Sequence, residues 1–564
     1  MDSHSQSLID LFEFWFQPDT QKFCFNSTPE FDKLITEKYQ SLLDHYTFDK
    51  ISKHELNNIT EDYRKAIALI ILHDQIPRHI YRTDSEKINY YLTLIIDFAE
   101  KTYTRFRYDL KPHHFCFVLL PLRHLNNFDK IMYVISETKM QIKNNPLEQE
   151  YKRFLKATLE RYIKLNDDSD NIILQDTIEP KPQYIQDITQ ICEQNFRKYH
   201  IVPLEEINLS SLPDWIKNMY DIVKHNAHIK TGIISLSGGV DSMILSYILK
   251  HIGIDISAVH INYNNRPECE EECNILRQWC SFLDIKLYIR KITEIQRPEM
   301  MELNMRDLYE TYTRDIRFNT YVNAEKNKLT MDKSTMDKST IDKSTIDKST
   351  IKDDVFVFLG HNHDDQFENI FTNIVSQSHF ENLRGMETLT QIKFKSDIIN
   401  FVRPMLNIPK SDIYKFSSYF SIPHFKDSTP KWSQRGKIRD TIRPNIEQWD
   451  DRAIESFFSM SDKLSDLIKI ARFSAQNMHE KIKTDGTLEV DLIDIYPKTM
   501  FEMLFEDMKI KISQKALTSF YEKLMFIKQN KDKYKINSIE KYRLNKETVI
   551  MWKNLSDNKI MIYF

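Results

Sequence analysis

A short loop with two adjacent glycines follows the first apolar strand of the central region. Residues 233–243 read Ile-Ile-Ser-Leu-Ser-Gly-Gly-Val-Asp-Ser-Met, which predicts a strand to Leu236, a tight turn and a helix from about Asp241. Two glycines let the backbone approach an anion closely, and the N–H groups of the first helical turn then point at it. The pattern predicts a phosphate-binding loop, although an ordinary strand–turn–helix with a capping Asp241 fits the same residues. It is not a Walker loop, because no Gly-x4-Gly-Lys-Ser/Thr occurs.

A second polar segment, residues 361–369, places acidic side chains at the start of a predicted helix. It reads His-Asn-His-Asp-Asp-Gln-Phe-Glu-Asn, so Asp364 and Glu368 are spaced i, i+4 and share one face. Charges that complement a helix dipole would account for one carboxylate only, and tetrahedral zinc would need softer ligands. The cluster as a whole therefore favours a functional site.

Basic residues lie on either side of that segment. Arg314 and Arg317 are spaced i, i+3 on a predicted helix, where they could meet phosphates or form a solvated basic face. Residues 403–443 contain nine Lys or Arg and three Asp in a chain whose formal charge is −4. Such a local excess is the electrostatic footprint expected for an RNA backbone, although most charged runs are simply solvated surface.

Composition limits the class of protein. The chain has 564 residues, of which 41% are apolar and 28% charged, and this excludes a disordered polymer, a collagen and a histone-like binder. Only 8 residues are glycine, and all of them lie between Gly232 and Gly486. Six cysteines without regular spacing are not a secreted disulfide framework. No apolar run approaches the ~18 residues of a membrane span, so we expect a cytoplasmic protein that does not enter membranes.

The periodicity of apolar residues divides the chain into regions. Residues 1–165 predict an all-α domain, and 166–229 a linker followed by a helix. Residues 230–445 alternate short apolar strands with amphipathic helices, which predicts an α/β domain with a parallel sheet covered on both faces. Within it, 330–352 carries a five-residue repeat that forms no continuous apolar face and predicts a solvated loop. Residues 446–564 predict a smaller α+β region, helical over about 451–530 and with a small sheet from Ile536 to Phe564.

Several segments of the central region resemble the tRNA(Ile)-lysidine synthetase family, which belongs to the N-type ATP pyrophosphatases with a PP-loop. The resemblance covers about 230–445, and its blocks keep the family order. They are Ser237-Gly-Gly-Val-Asp-Ser242, Val259-His-Ile-Asn262, Thr313-Arg-Asp-Ile-Arg-Phe318, His361 to Asn369, Asn382-Leu-Arg-Gly-Met386, Arg403-Pro-Met-Leu406 and Asp427 to Arg439. The C-terminal region resembles the tRNA-contacting end of the family more weakly.

The resemblance implies an adenine nucleotide α-hydrolase-like fold and an ATP-dependent ligase. ATP would adenylate the C2 oxygen of the wobble cytidine in a tRNA anticodon loop, and free lysine would then displace AMP. The implied catalytic residues are Asp241, Asp364, Asp365, Glu368 and Arg314. The implied ATP-binding residues are Ser237, Gly238, Gly239, Val240, Asp241, Ser242, His260 and His361, with Asp241 also holding Mg²⁺. The implied RNA-binding residues are Arg317, Arg435, Lys437 and Arg439.

Two alternatives stay open at this stage. One is a tRNA thiolase of the same fold, making 2-thiocytidine or 2-thiouridine; such relatives usually carry Lys where this chain has Val240, and a Cys-x-x-Cys pair that this chain lacks. The other is a non-catalytic RNA-binding relative, because the chain departs from the family at Gly436, Asn369 and Thr429. The sequence does not predict the oligomeric state or the identity of the tRNA.

The N-terminal helices have a resemblance of their own, to a bacterial helical family of undescribed function. It rests on Leu69-Ile-Ile-Leu-His-Asp-Gln-Ile-Pro-Arg-His-Ile-Tyr-Arg82, on Phe12 to Phe16 and on Leu119 to His124. Asp74, Arg78 and Arg82 could form a buried ion network or line a ligand pocket, and the ion network is the favoured interpretation.

Overall fold

The computed structural model describes most of the chain. The described residues are 3–24, 27–47, 51–168, 173–174, 204, 207–335, 354–425, 434–530, 533, 535–545, 548–556 and 559–564. The predicted helix at 184–199, most of the repeat at 336–350, and Thr429 lie outside them. The chain forms two compact units. The first contains residues 1–360, 389–405 and 411–426, and the second contains 361–388, 406–410 and 427–564.

The N-terminal region is all helical, as predicted. The helix Tyr63–Asp74 carries apolar residues on every side, and all its residues from Ala66 to Asp74 are buried. It therefore lies at the centre of the other helices. Polar side chains cap several helices, among them Thr28, Ser52 and Asn127. The helices are α1 (Ser3–Trp15), α2 (Pro18–Gln21), α3 (Pro29–His45), α4 (Lys53–Glu61), α5 (Tyr63–Asp74), α6 (Ile76–Ile80), α7 (Ser85–Phe106), α8 (Pro112–His124), α9 (Phe128–Asn144) and α10 (Gln149–Asp168).

The middle of the chain alternates strands and helices. Its elements are β1 (Ile173–Leu174), α11 (Asp214–Ala227), β2 (Thr231–Ser235), α12 (Val240–His251), β3 (Asp255–Asn262), α13 (Cys269–Leu283), β4 (Lys286–Lys291), α14 (Arg297–Glu302), α15 (Arg306–Thr335), β5 (Val355–Phe358), α16 (His363–Val375), β6 (Leu389–Phe394), β7 (Asp397–Val402) and α17 (Lys410–Phe420). Helix α15 continues to Thr335, so residues 330–335, which the sequence predicts to be loop, are helical.

The seven strands β1 to β7 form one sheet in the order β1-β4-β3-β2-β5-β7-β6. The five inner strands are parallel, which confirms the predicted α/β class. The two outer strands, β1 and β6, pair antiparallel with their neighbours, so the sheet is mostly and not wholly parallel. Strand order reverses at β2, which lies between β3 and β5. Open α/β sheets bind ligands beyond the carboxyl end of a strand at such a switch point.

The helical N-terminal region and the sheet share one hydrophobic core. Buried side chains from α1 to α10 pack continuously with those of α15 and the strands. Polar contacts reinforce this packing: Lys139 on α9 donates to the Glu294 carbonyl oxygen at 2.8 Å and pairs with Glu299 at 2.6 Å. The fully buried Glu294 in turn accepts hydrogen bonds from Tyr312 and Arg290. The all-α region is therefore built into the first unit.

The second unit combines helices with a small antiparallel sheet. After α16 it contains α18 (Gln434–Lys437), α19 (Arg443–Trp449), α20 (Ala453–Asp485), β8 (Thr487–Asp491), α21 (Lys498–Asp507), α22 (Gln514–Gln529), β9 (Ile539–Arg543), β10 (Val549–Ser556) and β11 (Lys559–Tyr563). The strand order is β8-β11-β10-β9. The predicted small sheet is confirmed, but β8 interrupts the stretch 451–530 that the sequence predicts to be helical. Its Leu488 and Val490 are buried beneath α21 and α22.

None of the helices in the described ranges is both long enough and apolar enough to span a membrane.

Candidate active site

The glycine loop lies where the sequence predicts it, between β2 and α12. Two serine side chains hold its shape: Ser242 Oγ donates to the Gly239 carbonyl oxygen at 3.0 Å and accepts from the Ser237 N–H at 3.2 Å. The Gly239 N–H donates to Ser237 Oγ at 3.3 Å. No side chain caps the N-terminus of α12, so side chains do not compete with an anion for the first backbone N–H groups of this helix. Val240 is buried, and it therefore offers a backbone group and not a side chain.

Two glycines in this part of the first unit stand where a side chain does not fit. Gly238 has φ +81°, and a Cβ there would lie 1.8 Å from the ring of Phe425, whose N–H donates to the Gly238 carbonyl oxygen at 2.9 Å. Gly360, which follows β5, would place a Cβ 3.0 Å from the backbone of Asp241 and Ser242. These close approaches fix the loop from two sides. From its place in the basic segment, Phe425 is a candidate for stacking on an unpaired base. Its ring is instead 5% exposed and lies against Gly238, a partner that no local sequence pattern indicates.

Asp241 lies in the first turn of α12, partly exposed. It does not cap the helix, because Gly239 occupies the N-cap position. The alternative interpretation of this segment, a helix capped by Asp241, is therefore wrong. A partly exposed carboxylate beside a turn of backbone N–H groups fits a hard cation that is held mainly by phosphate oxygens.

His260 lies in β3, next to the strand that leads into the loop. It is 6% exposed, and its Nδ1 lies 2.9 Å from the Leu236 carbonyl oxygen. Burial lowers the pKa of His260 from 6.5 to about 4, so the ring is neutral at pH 7. The neutral ring thus holds Leu236, which precedes the loop, and its predicted contact with ATP stays a prediction.

We expect this histidine to make the first unit sensitive to acid. In the unfolded chain the ring takes up a proton near pH 6.5, but in the folded chain only near pH 4. Acidification from pH 7 to pH 5 therefore favours unfolding, by about 2 kcal/mol from this group. Urea unfolding at the two pH values measures the loss.

The matched variants are His260→Gln, which should show a smaller loss between pH 7 and pH 5, and the exposed His54→Gln, which should behave as the wild type. An equal acid sensitivity in His260→Gln and the wild type would contradict the assignment.

Arg314 and Arg317 lie on α15, which is anchored beside β2 by a hydrogen bond from Tyr321 Oη to Ser235 Oγ of 2.6 Å. Arg314 pairs with Asp315 at 3.2 Å and is half exposed. The guanidinium of Arg317 lies 5.8 Å from the ring centre of Phe318. Neither contact joins these arginines to the glycine loop, so their catalytic and RNA-binding roles stay predictions.

In the second unit, the acidic segment begins α16 with a capping box. The Asn362 side chain accepts from the N–H groups of Asp364 and Asp365, and Asp365 Oδ2 accepts from the Asn362 N–H at 3.1 Å. One carboxylate of the cluster, that of Asp365, therefore completes the N-terminal cap of α16. His361, at the start of the unit, is half-buried.

The acidic side chains of α16 are paired with arginines that follow it in the chain. Glu368 is almost fully buried and accepts from Arg435 at 2.7 Å and from Arg439 at 2.7 Å. Arg435 also pairs with Asp365, and Arg443 pairs with Asp364 at 2.6 Å. We call these six residues, Asp364, Asp365, Glu368, Arg435, Arg439 and Arg443, the ion cluster.

The ion cluster changes what the predicted site residues can do. Arg435 and Arg439, predicted to bind RNA, are held by carboxylates, and Lys437 between them is exposed. Burial alone would lower the pKa of Arg435, but Asp365 and Glu368 outweigh it and raise the pKa. No group of three or more His, Cys, Asp or Glu side chains suited to a metal occurs in the described ranges. Arg443 was not singled out from the sequence, although it lies in the basic segment.

A second residue missed from the sequence is Gln366, which holds the loop after α16. Its Nε2 donates to the Met386 carbonyl oxygen at 2.9 Å, and its Oε1 accepts from the Met386 N–H at 2.8 Å. Gly385 has φ +75°, and a Cβ there would lie 2.8 Å from Gln366 Nε2. The Arg384 carbonyl oxygen accepts from Ser461 on α20 at 2.6 Å. The only sequence signal is that Gln366 lies inside the acidic block.

Replacing Gln366 by alanine is expected to loosen this loop. Two hydrogen bonds to the backbone of Met386 are lost, at a cost of about 1–3 kcal/mol. Hydrogen–deuterium exchange of the peptide covering 382–388 should accelerate about tenfold or more. The exposed Gln529→Ala in the same unit is the control. Unchanged exchange in Gln366→Ala would show that the loop holds its shape without this side chain.

Comparison with known proteins gives the class to which this arrangement belongs. Residues 213–331 and 345–448 match the family described as PP-loop domain, and residues 11–175 match the family described as bacterial protein of unknown function (DUF924). The central region is thus similar to PP-loop domains, and the N-terminal region is similar to the DUF924 family. This confirms the resemblance seen in both parts of the sequence.

Curated proteins similar to the chain are named tRNA(Ile)-lysidine synthase. The one from Chlamydia muridarum (strain MoPn / Nigg) is 26% identical over 221 residues, which are 39% of this chain and 58% of that protein. The one from Malacoplasma penetrans (strain HF-2) is 23% identical over 335 residues, 57% of this chain and 96% of that protein. The chain thus spans less than two thirds of the Chlamydia protein and nearly all of the Malacoplasma protein. A solved structure, the U34-tRNA thiolase NcsA from Methanococcus maripaludis, is 16% identical at a TM-score of 0.32 and covers 44% of this chain and 78% of that one.

Proposed function

We propose that the chain is a tRNA(Ile)-lysidine synthase-like ligase. The observation that carries the proposal is the glycine loop: the region that matches the PP-loop family places Gly238 with φ +81° against Phe425, after β2 at the switch point of the sheet. The relatives named tRNA(Ile)-lysidine synthase supply the substrate class. ATP would adenylate the C2 oxygen of a cytidine in a tRNA anticodon loop with release of pyrophosphate. The ε-amine of free lysine would then attack C2 and release AMP.

The loop supports the first of these two steps. Breaking the α–β bond of ATP leaves negative charge on pyrophosphate, and a preorganised set of backbone N–H groups at a helix N-terminus stabilises that charge. Ser237 and Ser242 hold the turn in shape through their side chains. Because Val240 is buried, the loop would bind phosphate through its backbone. Such binding does not depend on the base of the nucleotide.

Asp241 fits a magnesium ion that is held mostly by the phosphates. Mg²⁺ in nucleotide sites usually has one or two protein carboxylates and keeps several waters, and Asp241 is partly exposed beside the loop. When bound, the ion would neutralise phosphate charge. The carboxylates of the ion cluster fit it less well, because each of them already faces an arginine.

The ion cluster is our candidate for recognition of the free amino acid. Lysine carries both an α-carboxylate and ammonium groups, so its recognition needs cationic and anionic side chains together. The cluster supplies three of each within one unit. Arg317 and Lys437 are exposed or half exposed and stay candidates for tRNA contact. A cytidine in an anticodon loop is unpaired, so it can be reached without opening a duplex.

The thiolase alternative has less support in the described cysteines. A sulfur-transferring cysteine must be a thiolate, and burial raises the pKa of Cys273 to about 11 and that of Cys280 further. Cys273 also accepts a hydrogen bond from Asn262 Nδ2 at 3.3 Å and is buried within α13. These thiols have the surroundings of structural residues.

We assign the regions of the chain to match this function. Residues 1–165 form the helical domain, 166–229 the linker and helix, 230–445 the ATP pyrophosphatase domain with its insertion at 330–352, and 446–564 the region that contacts tRNA. The reaction uses tRNA, ATP and free lysine, and we place it in the cytoplasm.

The experiment that tests the proposal uses the full chain with bulk bacterial tRNA, ATP and isotopically labelled lysine. We expect pyrophosphate release that depends on tRNA, with label transferred to the tRNA fraction, and both lost in Asp241→Asn. A non-catalytic relative would release no pyrophosphate. A thiolase would release pyrophosphate without incorporating lysine, and either result would overturn the proposal.

A further inference from the structure

A cluster of three arginines surrounds one carboxylate in the helical N-terminal region. Asp74 ends α5 and is 1% exposed. It accepts from Arg78 on α6 at 2.9 Å and lies 2.8 Å from His124 Nδ1 at the end of α8. Arg123 on α8 interacts electrostatically with Asp74 and with Arg161 on α10, and Arg161 donates to the His124 carbonyl oxygen. We call Asp74, Arg78, Arg123, His124 and Arg161 the arginine cluster.

Among the described residues, only one of these guanidinium groups forms an ion pair with a carboxylate. Arg78 pairs with Asp74. Arg161 Nη2 donates to two neutral acceptors, the His124 carbonyl oxygen at 3.3 Å and Asn126 Oδ1 at 2.6 Å. Its Nε–H is buried and has no hydrogen-bond partner among the described residues.

Arg123 is half-buried and lies over the ring of Phe154, 5.0 Å from its centre. Within the described part of the chain its guanidinium makes no ion pair or hydrogen bond. Burial lowers the pKa of Arg123 to about 10; Asp74 opposes this shift, while Arg161 and Arg78 add to it. The cluster therefore carries two positive charges in excess of its one carboxylate, and the buried Nε–H of Arg161 has no acceptor among the described residues.

Stability alone does not account for this arrangement. A buried ion network that only held helices together would pair its cations, because an unpaired buried charge is costly. The cluster is also open to solvent, since the Arg78 side chain is 32% exposed and that of His124 is 18% exposed. A planar guanidinium group can donate two parallel hydrogen bonds to two oxygens of one phosphate. The two positive charges of the cluster that lack a carboxylate partner match the charge of a dianion.

We propose that the arginine cluster is a binding site for a dianionic phosphoryl group, presented by a small phosphomonoester or by the 5′-phosphate of an RNA. Arg123 and Arg161 bind the phosphoryl oxygens, Asp74 fixes the orientation of Arg78 and His124, and the buried Nε–H of Arg161 gains an acceptor. This site is separate from the glycine loop and does not depend on the proposed ligase activity. It gives the helical region a binding function and goes beyond the ion network favoured from the sequence.

The test is calorimetric titration of the full chain with inorganic phosphate at pH 7.5 and fixed ionic strength. We expect saturable binding that weakens about tenfold or more in Arg123→Gln and in Arg161→Gln, because each removes a charged hydrogen bond. The matched control is Arg153→Gln, an exposed arginine on the same helix as Arg161, which should bind as the wild type. Gly238→Ala should also retain this binding. Loss of the binding in Gly238→Ala but not in Arg123→Gln would assign it to the glycine loop and overturn the proposal.

Three further probes define the ligand. Methyl phosphate, a dianion at this pH, should bind, and dimethyl phosphate, a monoanion, should not; equal binding of the two would overturn the assignment to a dianion. Binding of a 5′-phosphorylated but not a 5′-hydroxyl oligonucleotide would support the site and identify an RNA end as its source. Binding of methyl phosphate without binding of either oligonucleotide would support the site and identify a small phosphomonoester as its ligand.

A measurement on the unchanged protein guards against misfolded variants. Phenylglyoxal modifies accessible arginines, and mass spectrometry of the peptides shows which ones react. Inorganic phosphate should protect Arg123 and Arg161 and leave Arg153 reactive. Equal modification with and without phosphate would contradict the site.

Discussion

Gly238→Ala is expected to reduce tRNA-dependent pyrophosphate release by at least about a thousandfold. The substitution places a Cβ 1.8 Å from the ring of Phe425, which must then move together with the backbone that it holds. It also forces an L-residue into φ +81°, which costs about 1–2 kcal/mol by itself. A displaced turn withdraws its N–H groups from the leaving pyrophosphate, and losing several such donors costs orders of magnitude in rate.

Gly253→Ala is the matched control, because it introduces the same backbone strain without a steric clash of the new Cβ. Gly253 has the same φ of +81°, but nothing lies within 4 Å of a Cβ at that position. We expect it to lose about 1–2 kcal/mol of stability and to keep its rate of pyrophosphate release. Pyrophosphate release at saturating ATP, with circular dichroism of each variant, makes the comparison. If the two variants lost activity equally, the close approach of Phe425 would not matter to function.

Glu368→Gln is expected to destabilise the second unit by about 1–3 kcal/mol and to abolish lysine transfer. The carboxylate is almost fully buried and accepts from Arg435 and Arg439. Its replacement by an amide removes the charge from these hydrogen bonds, while the partly exposed arginines keep contact with solvent. Urea unfolding and transfer of labelled lysine to tRNA measure the two effects.

The comparison variant is Glu480→Gln, which removes a carboxylate that pairs with Lys483 at 2.6 Å on the exposed side of α20. An exposed pair contributes little to stability, so this variant should be close to the wild type in both assays. A stable Glu368→Gln protein would show that the ion cluster is not a structural requirement. Retained lysine transfer would show that Glu368 plays no part in the reaction.

The sequence predicted those features that depend on neighbouring residues. The glycine loop, the strand before it and the helix after it lie within about one residue of their predicted ends, because local spacing and backbone conformation determine them. The mostly parallel sheet followed from the alternation of strands and helices. Strand β8 was not predicted, since Leu488 and Val490 are two apolar residues in a five-residue strand that forms only when β11 pairs with it.

The site residues that the sequence missed are those whose role depends on a distant partner. Phe425 supports a glycine that precedes it by almost two hundred residues, and Arg443 pairs with Asp364 across the second unit. Arg435 and Arg439, which the sequence predicts to bind RNA, also pair with a carboxylate of the ion cluster. Charge and spacing indicated the acidic segment 361–369 and the basic segment 403–443 as candidate functional regions. Only the tertiary structure shows which of their charged side chains form pairs.

The mass of the modified nucleoside tests the account most directly. Bulk tRNA is incubated with the full chain, ATP and labelled lysine, digested to nucleosides and analysed by mass spectrometry. We predict a cytidine that carries one labelled lysine, joined with loss of water, and its absence in Gly238→Ala. A sulfur-substituted nucleoside, or unmodified cytidine accompanied by pyrophosphate release, would contradict the proposed ligase.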